Sequence, residues 1–400
     1  MITELTNHCL SCLKPLCETG CPAGNHICSY IKAIKNGDLA AAADILYSAD
    51  PFPELTSRLC DCTRQCQGQC VRGIKGEPVS IQMIERYISD HSERHITTGT
   101  PNGRSCALIG AGPACLAAAV DLLQAGYHVE IYEQLNHVGG AVYSGIPSYR
   151  FDKKYLDNIQ KELSEAGVIF HLSCEVGKDI TFAQLEEQFD QILVGIGAAK
   201  ENTYGLSGEG CIAGLSLLYD LNVKQAERSY KEKYKSAIVW GGGNVAMDCA
   251  RSLQRILHDV TVIYRRTEKE MPANLDEIED AKKEGVKFAF LENIKGLNLD
   301  ENGRVISASC IKMHLGEPDS SGRARPIETE GSEYILPCEL VVPAIGQAVD
   351  LSIFSLEKTE SHHTNKGNVF VCGDAYLGPK TVAAAIHDGK AAAAEMLKMM

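Results

Sequence analysis

The sequence predicts an α/β protein: an N-terminal all-α domain rich in cysteine, followed by two Rossmann-like dinucleotide-binding domains, the second inserted in the first. Three observations predict it. Nine of the 17 cysteines fall before residue 71, a strand–glycine turn–helix–strand pattern runs over Cys106–Glu133, and a second such pattern begins at Ala237. The expected limits are 1–100 for the helical domain, 101–199 for the first part of one dinucleotide domain, 200–342 for the inserted one, and 343–400 for the return to the first.

The opening cysteines are spaced Cys9-x₂-Cys12-x₄-Cys17-x₃-Cys21, with Pro22 directly after. A second group, Cys60, Cys62, Cys66 and Cys70, follows a helical stretch around Ile27–Tyr47. Thiolates this closely spaced wrap an iron–sulfur cluster, and a terminal Cys before Pro often ligates a second one. Zinc is the competing reading, but it prefers two CxxC-type pairs with one loop between them, and one tetrahedral ion has no use for so many thiols. A disulfide scaffold is not needed in a chain of 400 residues with dinucleotide folds.

In the first pattern, Gly110 permits the tight turn and Gly112 lets the backbone approach a pyrophosphate at the helix N-terminus. Glu133 ends the second strand where a carboxylate accepts hydrogen bonds from a ribose. Cys115 stands where a third glycine would let helix and strand pack closely, and Gly139-Gly140 follow the acid as in flavin-binding versions of the motif. The amphipathic run Lys153–Ala166 reads as a helix and Ile192–Gly197 as a buried strand meeting a nucleotide at its C-terminal end. The second pattern has Gly241, Gly243 and Ala246 at GxGxxA spacing and ends in Tyr264-Arg265-Arg266. A terminal carboxylate suits a free ribose hydroxyl, whereas guanidiniums suit a 2′-phosphate. The first unit therefore reads as an FAD site and the second as an NADPH site, with a solvated strand end as the bland alternative for the two arginines. Near the C-terminus, Asp374 after Gly373 sits where a carboxylate meets a flavin's linker, and the helix starting near Thr381 aims its positive end at the ring.

The formal charge of −13 disfavours nucleic acid and anionic membranes as partners. No apolar run approaches a membrane span and cysteines occupy the place of a signal peptide's apolar core, so a soluble, cytoplasmic protein is expected.

Taken together, these motifs resemble, from Cys9 to the C-terminus, the iron–sulfur flavoprotein module of bacterial glutamate synthase small subunits, the N-terminal half of dihydropyrimidine dehydrogenase, and the larger subunit of NADH-dependent ferredoxin:NADP oxidoreductase. The resemblance implies two [4Fe–4S] clusters, one on Cys9, Cys12, Cys17 and Cys70, the other on Cys21, Cys60, Cys66 and the non-cysteine ligand Glu85. Cys62 is an addition to the family pattern, and the choice between Cys60 and Cys62 stays open. Gly110, Ala111, Gly112, Pro113, Ala114, Glu133, Gly140, Arg150, Gly373, Asp374 and Thr381 are the implied FAD contacts. Gly241, Gly243, Asn244, Arg265, Arg266 and Gly346 are the implied NADP contacts. Phe151-Asp152 depart from the Leu-Pro that usually follows the arginine.

The implied activity is that of an electron-input subunit: NADPH, or NADH as in some relatives, reduces FAD, and two clusters relay electrons to an electron-accepting catalytic partner. No side chain is expected to act as acid or base, because placing nicotinamide against flavin supplies most of the catalysis. The partner is an FMN and iron–sulfur pyrimidine reductase, the glutamate synthase large subunit, or ferredoxin. The short lead-in of eight residues before Cys9 favours the pyrimidine reductase. A disulfide reductase would need a redox cysteine pair, and Cys174, Cys211 and Cys249 each stand alone in sequence. A redox-sensing binding protein without turnover is the reading from another class.

Overall fold

The computed structural model describes residues 2–318 and 322–399. The chain forms two compact units, one of Met1–Tyr143, Phe151–Ala198 and Val349–Met400, the other of Ser144–Arg150 and Ala199–Ala348.

The first unit opens with α1 (Ile2–Asn7), α2 (Leu16–Thr19), α3 (Ile27–Lys35), α4 (Leu39–Ala49), α5 (Pro53–Leu59) and α6 (Ile81–His91). Their stops and starts are chemical: Asp38 caps α4 by accepting the Ala41 N–H at 2.9 Å, and Pro53, lacking an N–H, opens α5. Ile27, Tyr30 and Ile31 of α3 pack with Ile81, Ile84 and Ile88 of α6 in one core. Glu85 lies within the buried stripe of α6, not on its solvated face.

A parallel sheet follows, built from β1 (Ser105–Ile109), β2 (His128–Glu133), β3 (Ile169–Leu172), β4 (Gln191–Val194) and β15 (Val369–Val371) in the order β15-β4-β1-β2-β3. Around it lie α7 (Pro113–Gln124), α8 (Ala141–Ser144), α9 (Lys154–Glu165), α10 (Phe182–Gln188), α15 (Asp374–Leu377) and α16 (Val382–Leu397). Helices α7 and α16 pack so closely that a Cβ on Gly389 would lie 2.0 Å from the Ala114 carbonyl oxygen. Both sides of the expected boundary near residue 100 lie in this one compact unit. Arg94, just past α6, donates to Glu54 on α5 at 2.8 Å and to Glu162 on α9 at 2.7 Å, and Arg58 donates to the Tyr155 hydroxyl at 2.8 Å.

The second unit has its own parallel sheet, ordered β13-β6-β7-β8, from β6 (Ala237–Trp240), β7 (Val260–Tyr264), β8 (Lys287–Phe290) and β13 (Leu340–Pro343). Its helices are α11 (Gly214–Asn222), α12 (Glu227–Lys233), α13 (Asn244–Leu257) and α14 (Leu275–Lys283). An antiparallel layer joins β9 (Glu292–Leu299), β10 (Val305–Pro318), β11 (Ala324–Glu328) and β12 (Tyr334–Pro337), and a two-residue ladder pairs β5 (Lys200–Glu201) with β14 (Gln347–Ala348). The return to the first unit therefore comes at Val349, later than the expected 343. Strand β13 is apolar and buried throughout, and Leu340 registers with Ala237, so the run expected to lead back completes the second sheet instead. Among the described residues no helix is long and apolar enough to cross a membrane.

Candidate functional site

In the first glycine turn, Gly110 has φ +98° and a Cβ there would lie 2.7 Å from the Gly195 carbonyl oxygen. Gly112 caps α7, Pro113 is its first residue, and the Cβ position of Gly112 is open for 4 Å in every direction. That open cradle before a twelve-residue helix fits a pyrophosphate approaching the backbone. Glu133 is buried with both oxygens engaged: Oε2 accepts the Ala111 N–H at 2.7 Å and Oε1 the Leu135 N–H at 2.8 Å. Burial holds its carboxyl above the ordinary carboxylate range, against the backbone hydrogen bonds that pull it down. The carboxylate thus clamps the turn, and its remaining lone pairs are what it can offer a ribose.

Gly140 and Gly373 reach the same turn. A Cβ on Gly140 would lie 3.1 Å from Gly112 Cα, and one on Gly373 would lie 2.8 Å from Ala114 Cβ. The Gly373 N–H donates to Asp388 on α16 at 2.6 Å, and Asp388 in turn meets His362 at 3.0 Å. The second nitrogen of His362 meets Glu395 at 3.0 Å. Burial alone would push His362 down, but the two carboxylates outweigh it and hold the imidazole above its ordinary value. Asp374 accepts the Lys380 N–H at 3.1 Å, and its carboxyl is pushed up to about 6 by burial. Thr381 caps α16, accepting the Ala384 N–H at 3.3 Å. Arg150, expected among these residues, belongs to the second unit. Its guanidinium meets both oxygens of Asp248 at 2.7 Å and Glu277 at 2.6 Å, which leaves it holding the buried carboxylate of Asp248 on α13 and the half-buried one of Glu277 on α14.

The second turn repeats the first. Gly241 has φ +152°, a Cβ there would lie 2.3 Å from the Ala344 carbonyl oxygen, and the Cβ positions of Gly243, which caps α13, and of Gly346 are open. Asn244 Oδ1 accepts the Asn274 N–H at 2.8 Å, so its side chain ties the turn to the start of α14. The two arginines diverge. Arg265 is exposed, whereas Arg266 is 3 % exposed and donates through Nε to the Ala324 carbonyl at 2.7 Å. Both line a surface cavity with Arg325 and Glu317. Arg325, in β11, is a cation that sequence reasoning missed.

The N-terminal thiols separate into two cavities. Cys9, Cys12, Cys17 and Cys70 line one, together with Cys28; Cys21, Cys60, Cys66 and Glu85 line the other, together with Cys62, Asn25 and Gln82. Among the described residues no three His, Cys, Asp or Glu side chains converge on a single ion; the thiols instead ring hollows, an arrangement suited to a cluster several ångströms across. Burial pushes the Cys17 thiol up to about 12 and those of Cys21 and Cys28 up to about 11, and it raises Cys60 and Cys66 as well. Ligation would therefore release protons. Cys62 and Cys60 are both tied to Gln82, the thiol at 3.3 Å from Oε1 and the Cys60 carbonyl accepting from Nε2 at 3.1 Å. Cys28 was missed because a lone Cys in the first turn of a helix reads as an ordinary core residue. The second cavity also includes Ala383, from the first turn of α16.

Residues 1–97 match the family model described as dihydropyrimidine dehydrogenase domain II, 4Fe-4S cluster, and residues 104–389 match pyridine nucleotide-disulphide oxidoreductase. The chain is 36 % identical to the NADP(+)-dependent formate dehydrogenase subunit beta of Moorella thermoacetica, over 94 % of this chain and 59 % of that protein. It is 31 % identical to the glutamate synthase [NADPH] small chain of Escherichia coli, over 97 % of this chain and 89 % of the relative. It spans about three fifths of the formate dehydrogenase subunit's length. Among solved structures, Mycobacterium tuberculosis FprA in complex with NADPH shares the fold at a TM-score of 0.63 and 20 % identity, over 74 % of this chain and 84 % of that one. The chain belongs to the pyridine nucleotide-disulphide oxidoreductase family and is related over nearly its whole length to the glutamate synthase small chain, with a region of the 4Fe-4S cluster-domain family ahead of its dinucleotide-binding units.

Proposed function

We propose that this chain is an electron-input subunit, in which NADPH reduces FAD and two [4Fe–4S] clusters carry single electrons to a separate catalytic protein. The observation that supports this reading most is the division of the N-terminal thiols into two cavities, in the same compact unit as the first glycine turn.

Each group of residues has a stated task in this reading. Gly112 leaves room for the FAD pyrophosphate, Glu133 holds the turn that receives it, and Asp374 with the N-terminus of α16 faces the flavin end. Gly243 leaves room for the NADPH pyrophosphate, and Arg265 with Arg325 takes the 2′-phosphate while Arg266 anchors the hairpin. Cys9, Cys12, Cys17 and Cys70 hold one cluster; Cys21, Cys60, Cys66 and Glu85 hold the other. Because Ala383 is on the wall of the second cavity, α16 links the flavin end to that cluster first.

The partner is proposed by class: a protein bearing its own flavin or iron–sulfur centre. A pyrimidine-reducing partner has support from the description of the cluster-domain family, whereas the formate dehydrogenase beta subunit and the glutamate synthase small chain are relatives over nearly the whole chain. The test is anaerobic purification and reconstitution, with iron, sulfide, zinc and flavin measured on the same sample. One FAD and two clusters per chain, with steady NADPH oxidation by a viologen acceptor, is the expected result. Stoichiometric zinc with little iron or sulfide would overturn the relay, and reducible clusters without turnover would make the protein a sensor.

A further inference from the structure

The second thiol-lined cavity contains a carboxylate whose surroundings are unusual. Glu85 is 5 % exposed, and Oε1 alone receives two hydrogen bonds, from the Tyr30 hydroxyl and from Asn25 Nδ2, each at 2.9 Å. Tyr30 is fully buried and Asn25 is 2 % exposed. No salt bridge to Glu85 is found among the described residues, and the charged group named as acting on it, Asp50, is itself an acid. A buried carboxylate with two neutral donors on one oxygen and no counter-charge is only half compensated.

Asn25 shows what this arrangement costs. Its Nδ2 must face Glu85, because only the amide nitrogen can donate, and its Oδ1 is then left buried with no hydrogen-bond partner. A flip would satisfy neither group. Asn25 and Glu85 both line the cavity that holds Cys21, Cys60 and Cys66.

Resting on the cluster reading above, we propose that Tyr30 and Asn25 are positioning residues for the second cluster. By occupying Oε1 they leave Oε2 as the oxygen that meets iron, and by drawing electron density from the carboxylate they raise that cluster's midpoint potential. Neutral donors on a ligand favour the reduced state of the metal group it holds, because they weaken the ligand's donation.

The experiment uses the full chain, reconstituted anaerobically with iron and sulfide, as wild type, Tyr30→Phe, Glu85→Ala and the double variant. Electron paramagnetic resonance of the reduced protein and a spectroelectrochemical titration are the readouts, with flavin content as the control. Tyr30→Phe changes one buried hydroxyl and keeps the ring, so it should bind full iron. One cluster should shift its g-values and move to a more negative midpoint potential while the other stays in place, and the shift should vanish when Glu85 is already alanine. Unchanged signals in Tyr30→Phe beside a shifted cluster in Glu85→Ala would overturn the positioning role and leave the ligand assignment standing. Unchanged signals in both, or a chain that takes up no iron, would overturn the cluster reading and the inference with it.

Discussion

The two glycine turns are built alike and finished differently. In each, a glycine with positive φ backs onto a carbonyl from a neighbouring strand end, Gly195 behind Gly110 and Ala344 behind Gly241, and the next-but-one glycine faces open space. The first strand pair then closes on a buried acid whose oxygens hold the turn itself, while the second closes on Arg265, which is exposed, and Arg266, which holds a hairpin. On the proposed reading, selectivity between the coenzymes lies in a few residues at the strand ends and not in the turns.

Removing charge at the second strand end has the largest expected effect. Arg265→Gln with Arg325→Gln should cut the ratio of kcat/KM for NADPH over NADH by well over tenfold, since each charge-assisted contact contributes roughly 1.5–3 kcal/mol. Arg266→Gln should lower the melting temperature and leave that ratio in place. Steady-state kinetics and calorimetry on the two variants decide it; a lost NADPH preference in Arg266→Gln at unchanged stability would reverse the roles of the two neighbours.

A smaller effect separates the glycines within one turn. Gly110→Ala meets both a carbonyl and an unfavourable φ, and should destabilise the fold by about 1–3 kcal/mol. Gly112→Ala, with open space around its Cβ, should melt like the wild type when stripped of flavin yet retain less FAD after gel filtration. Equal melting losses in both variants would show that the space above Gly112 is needed by the fold and not by a ligand. Glu133→Gln comes next: an amide nitrogen would face a backbone N–H, costing about 1–3 kcal/mol, and the urea midpoint should fall together with flavin affinity.

The smallest expected effect is pH-dependent and concerns the segment that only the first turn has behind it. His362 lies between Asp388 and Glu395, and Asp388 holds the Gly373 N–H. Because its folded value is raised, its contribution is complete below the unfolded value of about 6.5 and is lost as pH rises through the folded one. The melting temperature of the wild type should therefore approach that of His362→Gln as pH climbs above this range. Parallel melting curves across the whole range would show that the imidazole does not carry charge there.

The turns were legible in the sequence because positive φ beside a carbonyl leaves glycine as the residue that fits, and α6 was legible because Ile81, Ile84 and Ile88 repeat at helical spacing. The fate of Glu85 was not, since its burial comes from Tyr30 and Asn25, about sixty residues away along the chain. Nor was the divergence of Arg265 and Arg266, although successive residues at a strand end point to opposite faces and so carry that signal. Leu340–Pro343 reads as a buried strand from its residues alone, but nothing in four apolar residues says which sheet it completes. Arg325 reaches the cavity through a hairpin whose folding no local pattern announces.

The thiol at Cys115 stands where the motif usually has its third glycine, and the chain accommodates it by lacking a side chain across the way: a Cβ on Gly195 would lie 2.3 Å from Cys115 Sγ and 3.1 Å from Cys372 Sγ. The two positions share one volume, so their histories are coupled. With the thiol in its present rotamer, a side chain at 195 would require Cys115 to move. A library randomised at both positions should return folded members mostly with at least one of the pair small.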